Sequence, residues 1–153
     1  MTETTDRIEK QIEINAPVSR VWRAITDHRE FGEWFRVNLD GPFEVGETTC
    51  GAITYPGYEH VIMEVIVEAI EPERRFAFWW RPYAIDPKVD YSTEPRTLVE
   101  FILEAVESGT LVRVTESGFD GIPDHRRDEA FRMNDGGWAA QVVNLQIYVQ
   151  DNL

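Results

Sequence analysis

The chain has 153 residues, with 15 Lys and Arg against 28 Asp and Glu, for a formal net charge of −13. That length suits one domain over residues 1–153, able to bury roughly 68–70% of the surface its unfolded form exposes, and 42% hydrophobic residues argue against disorder. The acidity repels phosphate backbones, which sets nucleic acid aside as a partner, and no stretch approaches the roughly eighteen uncharged apolar residues of a membrane span.

Residues 1–6 are polar and expected to be mobile. Ile8, Ile12 and Ile14 then alternate with Glu9 and Glu13, the period of a half-buried strand. Asn15 is placed to cap the helix that follows, with Pro17 in its first turn. There Val18, Val21, Trp22 and Ile25 make one apolar stripe. Asp27 is placed to cap a second short helix, where Phe31, Trp34 and Phe35 share a face. From about residue 39 the period becomes two, with Gly41-Pro42 and Gly46 as punctuation and a strand over 48–55. The run 60–70 alternates again, predicting Val61, Met63, Val65, Val67 and Ala69 inside and Glu64 and Glu68 outside. Over 75–81, Phe76, Phe78 and Trp80 point one way and Trp79 the other.

Pro82, Pro87 and Pro95 make 82–95 a long loop. Residues 97–106 and 110–118 read as a hairpin, with Val99, Phe101, Leu103 and Ala105 on one side of its first strand. Helical period returns over 123–150, where Phe131, Trp138, Val142, Leu145 and Val149 form a stripe. Gly136-Gly137 interrupts it, read as a local kink or as a place where another backbone or a ligand comes close. The order is strand, two short helices, about six strands and one long helix. The fold class is α+β, an antiparallel sheet curled around the last helix with room for an apolar ligand between them.

That order, with particular residues, resembles the START-like or SRPBCC superfamily of helix-grip proteins, and within it the branch of homologues of the activator of the heat-shock-protein-90 ATPase. The likeness rests on Ile12 to Asp27 with Trp34-Phe35, on Ile70 to Phe76 leading to Trp80, and on Val114 to Phe119 with Arg126-Arg127, Asn134, Gly137-Trp138 and the helix to Tyr148. It implies a deep cavity between sheet and long helix, and a fold rather than a reaction.

The residues carry few motifs of chemistry. His28, His60 and His125 have no ligand spacing, and Cys50 has no nearby His, so neither a metal nor a cofactor is expected. A lone cysteine cannot form an internal disulfide, and residues 1–6 lack a signal-peptide pattern; the expected location is cytoplasmic. Among the carboxylates Glu116 stands out. It follows Val112 and Val114 on one side of its strand, so its carboxylate is expected in or near the cavity, with Arg132 or Arg81 as counter-charge. That makes it the candidate catalytic residue. Met63, Phe78, Trp80, Phe101, Glu116 and Trp138 are the expected cavity lining, with Tyr83 and Tyr91 as a lid and His60 or an arginine orienting the ligand.

Three functions fit. The first is binding of a small hydrophobic or amphipathic molecule. The second is a cyclase, dehydratase or hydrolase working in the same cavity. The third is a chaperone-associated interaction module, whose charge would steer a basic partner. A homodimer is compatible with all three.

Overall fold

The structure, a computed structural model, describes residues 6–153. The expectation of mobility over 1–6 therefore falls outside the described residues except at Asp6. There the Asp6 carbonyl accepts from the backbone of Gly118 and Phe119, and its carboxylate from that of Asp120.

Seven strands form one sheet: β1 (Arg7–Ile14), β2 (Val37–Leu39), β3 (Thr48–Ile53), β4 (Ile62–Glu71), β5 (Arg75–Trp80), β6 (Thr97–Val106) and β7 (Gly109–Ser117). Their spatial order is β1-β7-β6-β5-β4-β3-β2, and every neighbouring pair is antiparallel. Between β1 and β2 lie α1 (Val18–Thr26) and α2 (His28–Phe35), and after β7 a 3-10 turn leads into α3 (Asp124–Asp151). The α+β helix-grip order expected from the periods is the order observed.

The ends of elements depart from expectation in ways the backbone explains. Asn15 does not cap α1. Pro17 holds the cap position with φ −62°, and its carbonyl receives the N–H groups of Arg20 and Val21. A tight turn, in which the Ala16 N–H bonds the Ile14 carbonyl, leaves Asn15 two residues short of that position. Asn15 instead donates its backbone N–H to Gln150 Oε1 at the far end of α3. Asp27 does cap α2, its carboxylate accepting from the N–H groups of Arg29 and Glu30. Gly32 is required at the exit from α2, because a Cβ there would lie 2.3 Å from the Val37 carbonyl oxygen.

Strand β3 stops at Ile53, since the Tyr58 N–H turns back onto the Tyr55 carbonyl. In β4, Met63, Val65 and Val67 are buried, but pairing with β5 shifts between Val67 and Ala69, and Ala69 is only half-buried. Ala105 is exposed near the end of β6, past the last buried position. Helix α3 runs unbroken through Gly136 and Gly137, and a Cβ on either would meet nothing within 4 Å. No backbone approaches there.

The centre of the grip is aromatic. Phe31, Trp34, Phe76, Phe78, Phe101 and Trp138 are buried, with Phe35 and Trp80 half-buried against them. Most neighbouring rings meet edge-on or tilted, for example Phe31–Trp34 at 4.8 Å and Trp80–Trp138 at 5.8 Å between centroids, while Phe31–Phe35 and Phe76–Phe101 stack. The expected deep cavity is thus filled at its middle by these rings. Each brings large apolar area and favours such ring geometries. Open space remains at the edge of the cluster.

Candidate functional site

Strand alternation turns Val112, Val114 and Glu116 of β7 inward together, and Glu116 is fully buried between Ile8 of β1 and Val99 of β6. A carboxylate there needs donors, since an unsatisfied buried charge is costly. It has four. Oε2 accepts from Trp80 Nε1 at 2.7 Å and Thr97 Oγ1 at 2.6 Å; Oε1 accepts from Trp138 Nε1 at 2.8 Å. Asn134 Nδ2 reaches both, at 3.0 Å to Oε1 and 3.2 Å to Oε2. Burial pushes the Glu116 carboxyl above its ordinary range, and the hydrogen bonds from these four donors pull against that shift.

The expected counter-charge is absent from this set. Arg81 follows inward-facing Trp80, so alternation turns it away from Glu116. It lines the pocket described next, with Nη2 donating to the Ser92 carbonyl at 3.0 Å and Nη1 3.6 Å from Glu64, itself on the pocket wall. Arg132 stands two residues from Asn134 on α3, about 200° round the helix, and is exposed. Neutral donors do the work assigned to an arginine. Two of them, Thr97 and Asn134, were outside the expected site, yet each carried a signal. Thr97 shares the inward phase of Val99 and Phe101. Asn134 is a polar residue in the stripe of Phe131 and Trp138.

Beside this centre lies a pocket of about 500 Å³. Its walls come from Phe35 at the end of α2, Ile53 of β3, Met63 of β4, Trp80 of β5, Tyr83, Ile85 and Tyr91 of the 81–96 loop, and Met133 and Asn134 of α3. Of the expected lining, the structure brings Met63 and Trp80 to the wall. Phe78, Phe101 and Trp138 sit behind it in the ring cluster, and Glu116 sits behind Trp80 and Asn134. Those two residues face the void on one side and donate to Glu116 on the other. Glu116 therefore touches the wall and not the void, and its position suits holding side chains in place rather than acid–base chemistry on a ligand.

The expected lid residues Tyr83 and Tyr91 both line the pocket. Their loop is anchored by Arg126 of α3, which sequence reasoning assigned no role. Its guanidinium grips the Glu94 carboxylate at 2.7 Å, donates to the Pro82 carbonyl at 2.9 Å and lies 4.7 Å from the Tyr91 ring centroid. His60, expected to orient a ligand, instead donates Nε2 to the Ile85 carbonyl at 3.1 Å and ties down the same loop. Among the described residues no group of three or more His, Cys, Asp or Glu could hold a metal ion. No helix among them is long and apolar enough to cross a membrane.

Residues 15–150 match the AHSA1 family, described as Activator of Hsp90 ATPase homolog 1-like protein. The chain belongs to this family. Among solved structures similar to this AHSA1-family chain is protein MLL2253 from Mesorhizobium loti, with 25% identity over 96% of this chain and 98% of that one, and a TM-score of 0.75. Two further structures share the fold. NE0264 from Nitrosomonas europaea is 16% identical, covering 100% of this chain and 99% of its own, at a TM-score of 0.75. The Aha1 dimer from Colwellia psychrerythraea is 21% identical, covering 92% of each chain, at a TM-score of 0.68. No curated protein matches the chain. The AHSA1 assignment names a fold and a lineage; what this member does rests on its own side chains.

Proposed function

We propose that the chain binds a small apolar or amphipathic molecule in the pocket between the 81–96 loop, the β3–β5 edge of the ring cluster and α3, and that it acts in the cytoplasm. The observation that carries this reading is a mainly apolar void of about 500 Å³ that the protein's own rings leave open, with Trp80 and Asn134 held rigidly in its wall by Glu116. Such a volume falls within the range of small-molecule sites, about 300–1,000 Å³. Each buried methylene of a ligand contributes about 0.8 kcal/mol, so a ten-carbon chain outweighs the lower estimates of association cost, about 4 kcal/mol.

Trp80 supplies the probe. Titration with a saturated ten-carbon amphiphile is expected to change tryptophan emission saturably, and native mass spectrometry of the protein as purified to show added mass. Ala84→Trp, on the pocket wall, is expected to abolish the titration while leaving the thermal midpoint unchanged. A signal that persists in Ala84→Trp, or wild-type protein that never saturates, removes the pocket as the site.

Pairing of two copies is a second reading, favoured by a separate surface. Val143 and Ile147, one turn apart on α3, are exposed, and the Colwellia relative is a dimer. Sedimentation equilibrium is expected to show a dimer that Ile147→Asp dissociates; monomer mass at every concentration refutes it.

A further inference from the structure

The pocket reading is the ground for a statement about which molecules enter it. Asn134 carries an amide with two unlike ends, a donor NH₂ and an acceptor oxygen. Its Nδ2 is committed to Glu116, at 3.0 and 3.2 Å from the two carboxylate oxygens. The reverse orientation would set an amide oxygen against two carboxylate oxygens at those distances, acceptor on acceptor. A proton on Oε2, the oxygen that faces Thr97, leaves this unchanged, whereas a proton on Oε1 would admit the reverse orientation. A proton on Oε2 finds the Thr97 hydroxyl at 2.6 Å, while Oε1 keeps its donors Asn134 and Trp138. Asn134 Oδ1 is therefore the end left over, on a pocket-wall residue, and among the described residues it has no hydrogen-bond partner.

The charged groups on the wall nearly cancel one another. Glu64 and Arg81 oppose each other at 3.6 Å, and Glu64 also holds Arg96 at 3.0 Å, while exposed Asp90 lies in the field of Arg81. Charge there is close to balanced, with none in excess for an ionic head group. Tyrosine hydroxyls at Tyr58 and Tyr83 can donate or accept, so they do not discriminate. What remains with a definite sign is the acceptor Asn134 Oδ1 and one donor, the buried Nε–H of Arg81, which has no hydrogen-bond partner among the described residues. A hydroxyl can serve both, an ether oxygen only the donor.

We infer that the pocket selects neutral amphiphiles bearing a hydroxyl or N–H donor, received by Asn134 Oδ1, and that Glu116 is the positioning residue that decides which end of the amide faces the ligand. Three probes with the same tail test it: 1-decanol, decyl methyl ether and decanoate, titrated against the intact protein. The alcohol is expected to bind about tenfold more tightly than the ether, the worth of one net hydrogen bond, and more tightly than the acid. Asn134→Leu is expected to bring the alcohol to the ether's affinity and leave the ether within about twofold. Glu116→Gln, which offers one donor and one acceptor where two acceptors stood, admits both amide orientations and is expected to lower the alcohol-to-ether ratio. Equal binding of alcohol and ether by the wild type overturns the inference without reference to any variant. So does tightest binding of decanoate, or discrimination that survives Asn134→Leu. Failure of all three probes to bind overturns the pocket reading itself.

Discussion

Two regions of this molecule lie back to back and share a wall one residue thick. On one side is a sealed polar centre, where a single carboxylate accepts four neutral donors and no solvent reaches it. On the other is an open pocket of about 500 Å³ with mainly apolar walls. Trp80 and Asn134 belong to both. A buried polar network is costly unless every member is satisfied, and when satisfied it gives its members one arrangement. Here that arrangement sets the shape and polarity of the neighbouring surface. The most polar residue of the core thus serves the pocket without entering it.

The sealed side should be the more fragile. Glu116→Ala orphans two indole N–H groups, a hydroxyl and an amide and leaves a cavity, which is expected to cost roughly 3–5 kcal/mol. Calorimetry is expected to show the thermal midpoint falling by roughly 10 °C. A fall of a degree or two would mean that the four donors find other partners, and the contrast between the two regions would collapse.

The pocket side should respond locally. Arg126→Met keeps most of the side-chain volume but frees Glu94, the Pro82 carbonyl and the face of Tyr91. The expected cost is about 2–3 kcal/mol, below the full value for breaking a buried pair because the lost contacts lie in one loop. Limited proteolysis is expected to accelerate within 82–95 while amide exchange in β6 and β7 stays slow. Uniform loss of protection would show that loop and sheet open together. Trp80→Phe probes the wall itself. It removes one donor from Glu116 and keeps a ring, at an expected cost of about 1–2 kcal/mol by urea denaturation. Because Asn134 is still held, the alcohol-to-ether preference is expected to survive this change and to be lost in Asn134→Leu.

The two regions were unequally legible from the chain. Period-two alternation gave the inward phase of β7, hence the direction of Glu116, and the same rule placed Met63 and Trp80. Rules of this kind are local and report which way a side chain points. They do not say how far the interior extends, so Phe78, Phe101 and Trp138 were expected on a cavity wall and lie in a filled ring cluster. Partners of a buried charge are set by folding in space. An arginine was the natural expectation for Glu116, yet the side chains brought within reach come from β5, β6 and α3 and are all neutral. Arg126 shows the same limit. Its targets Pro82 and Glu94 are 44 and 32 residues away and sit in a loop without periodicity.

The finest contrast is in pH. Burial raises the Glu116 carboxyl above its ordinary value of 4.5, so between that value and the folded-state value the folded chain binds more protons than the unfolded one. The contribution of Glu116 to stability is therefore fully present below pH 4.5 and declines as pH rises through its folded-state pKa. Carboxylates held low at the surface, Glu71 beside Arg74 and Arg75 and Asp90 bonded to Ser92, have the opposite sign and lose stability as pH falls. They are unchanged by a substitution at 116 and cancel in a difference. Urea midpoints of wild type minus Glu116→Gln, measured across the acid to neutral range, are accordingly expected to fall with rising pH. A difference that rises instead would mean that the four donors outweigh burial, and that the sealed centre stabilises its charge more strongly than water does.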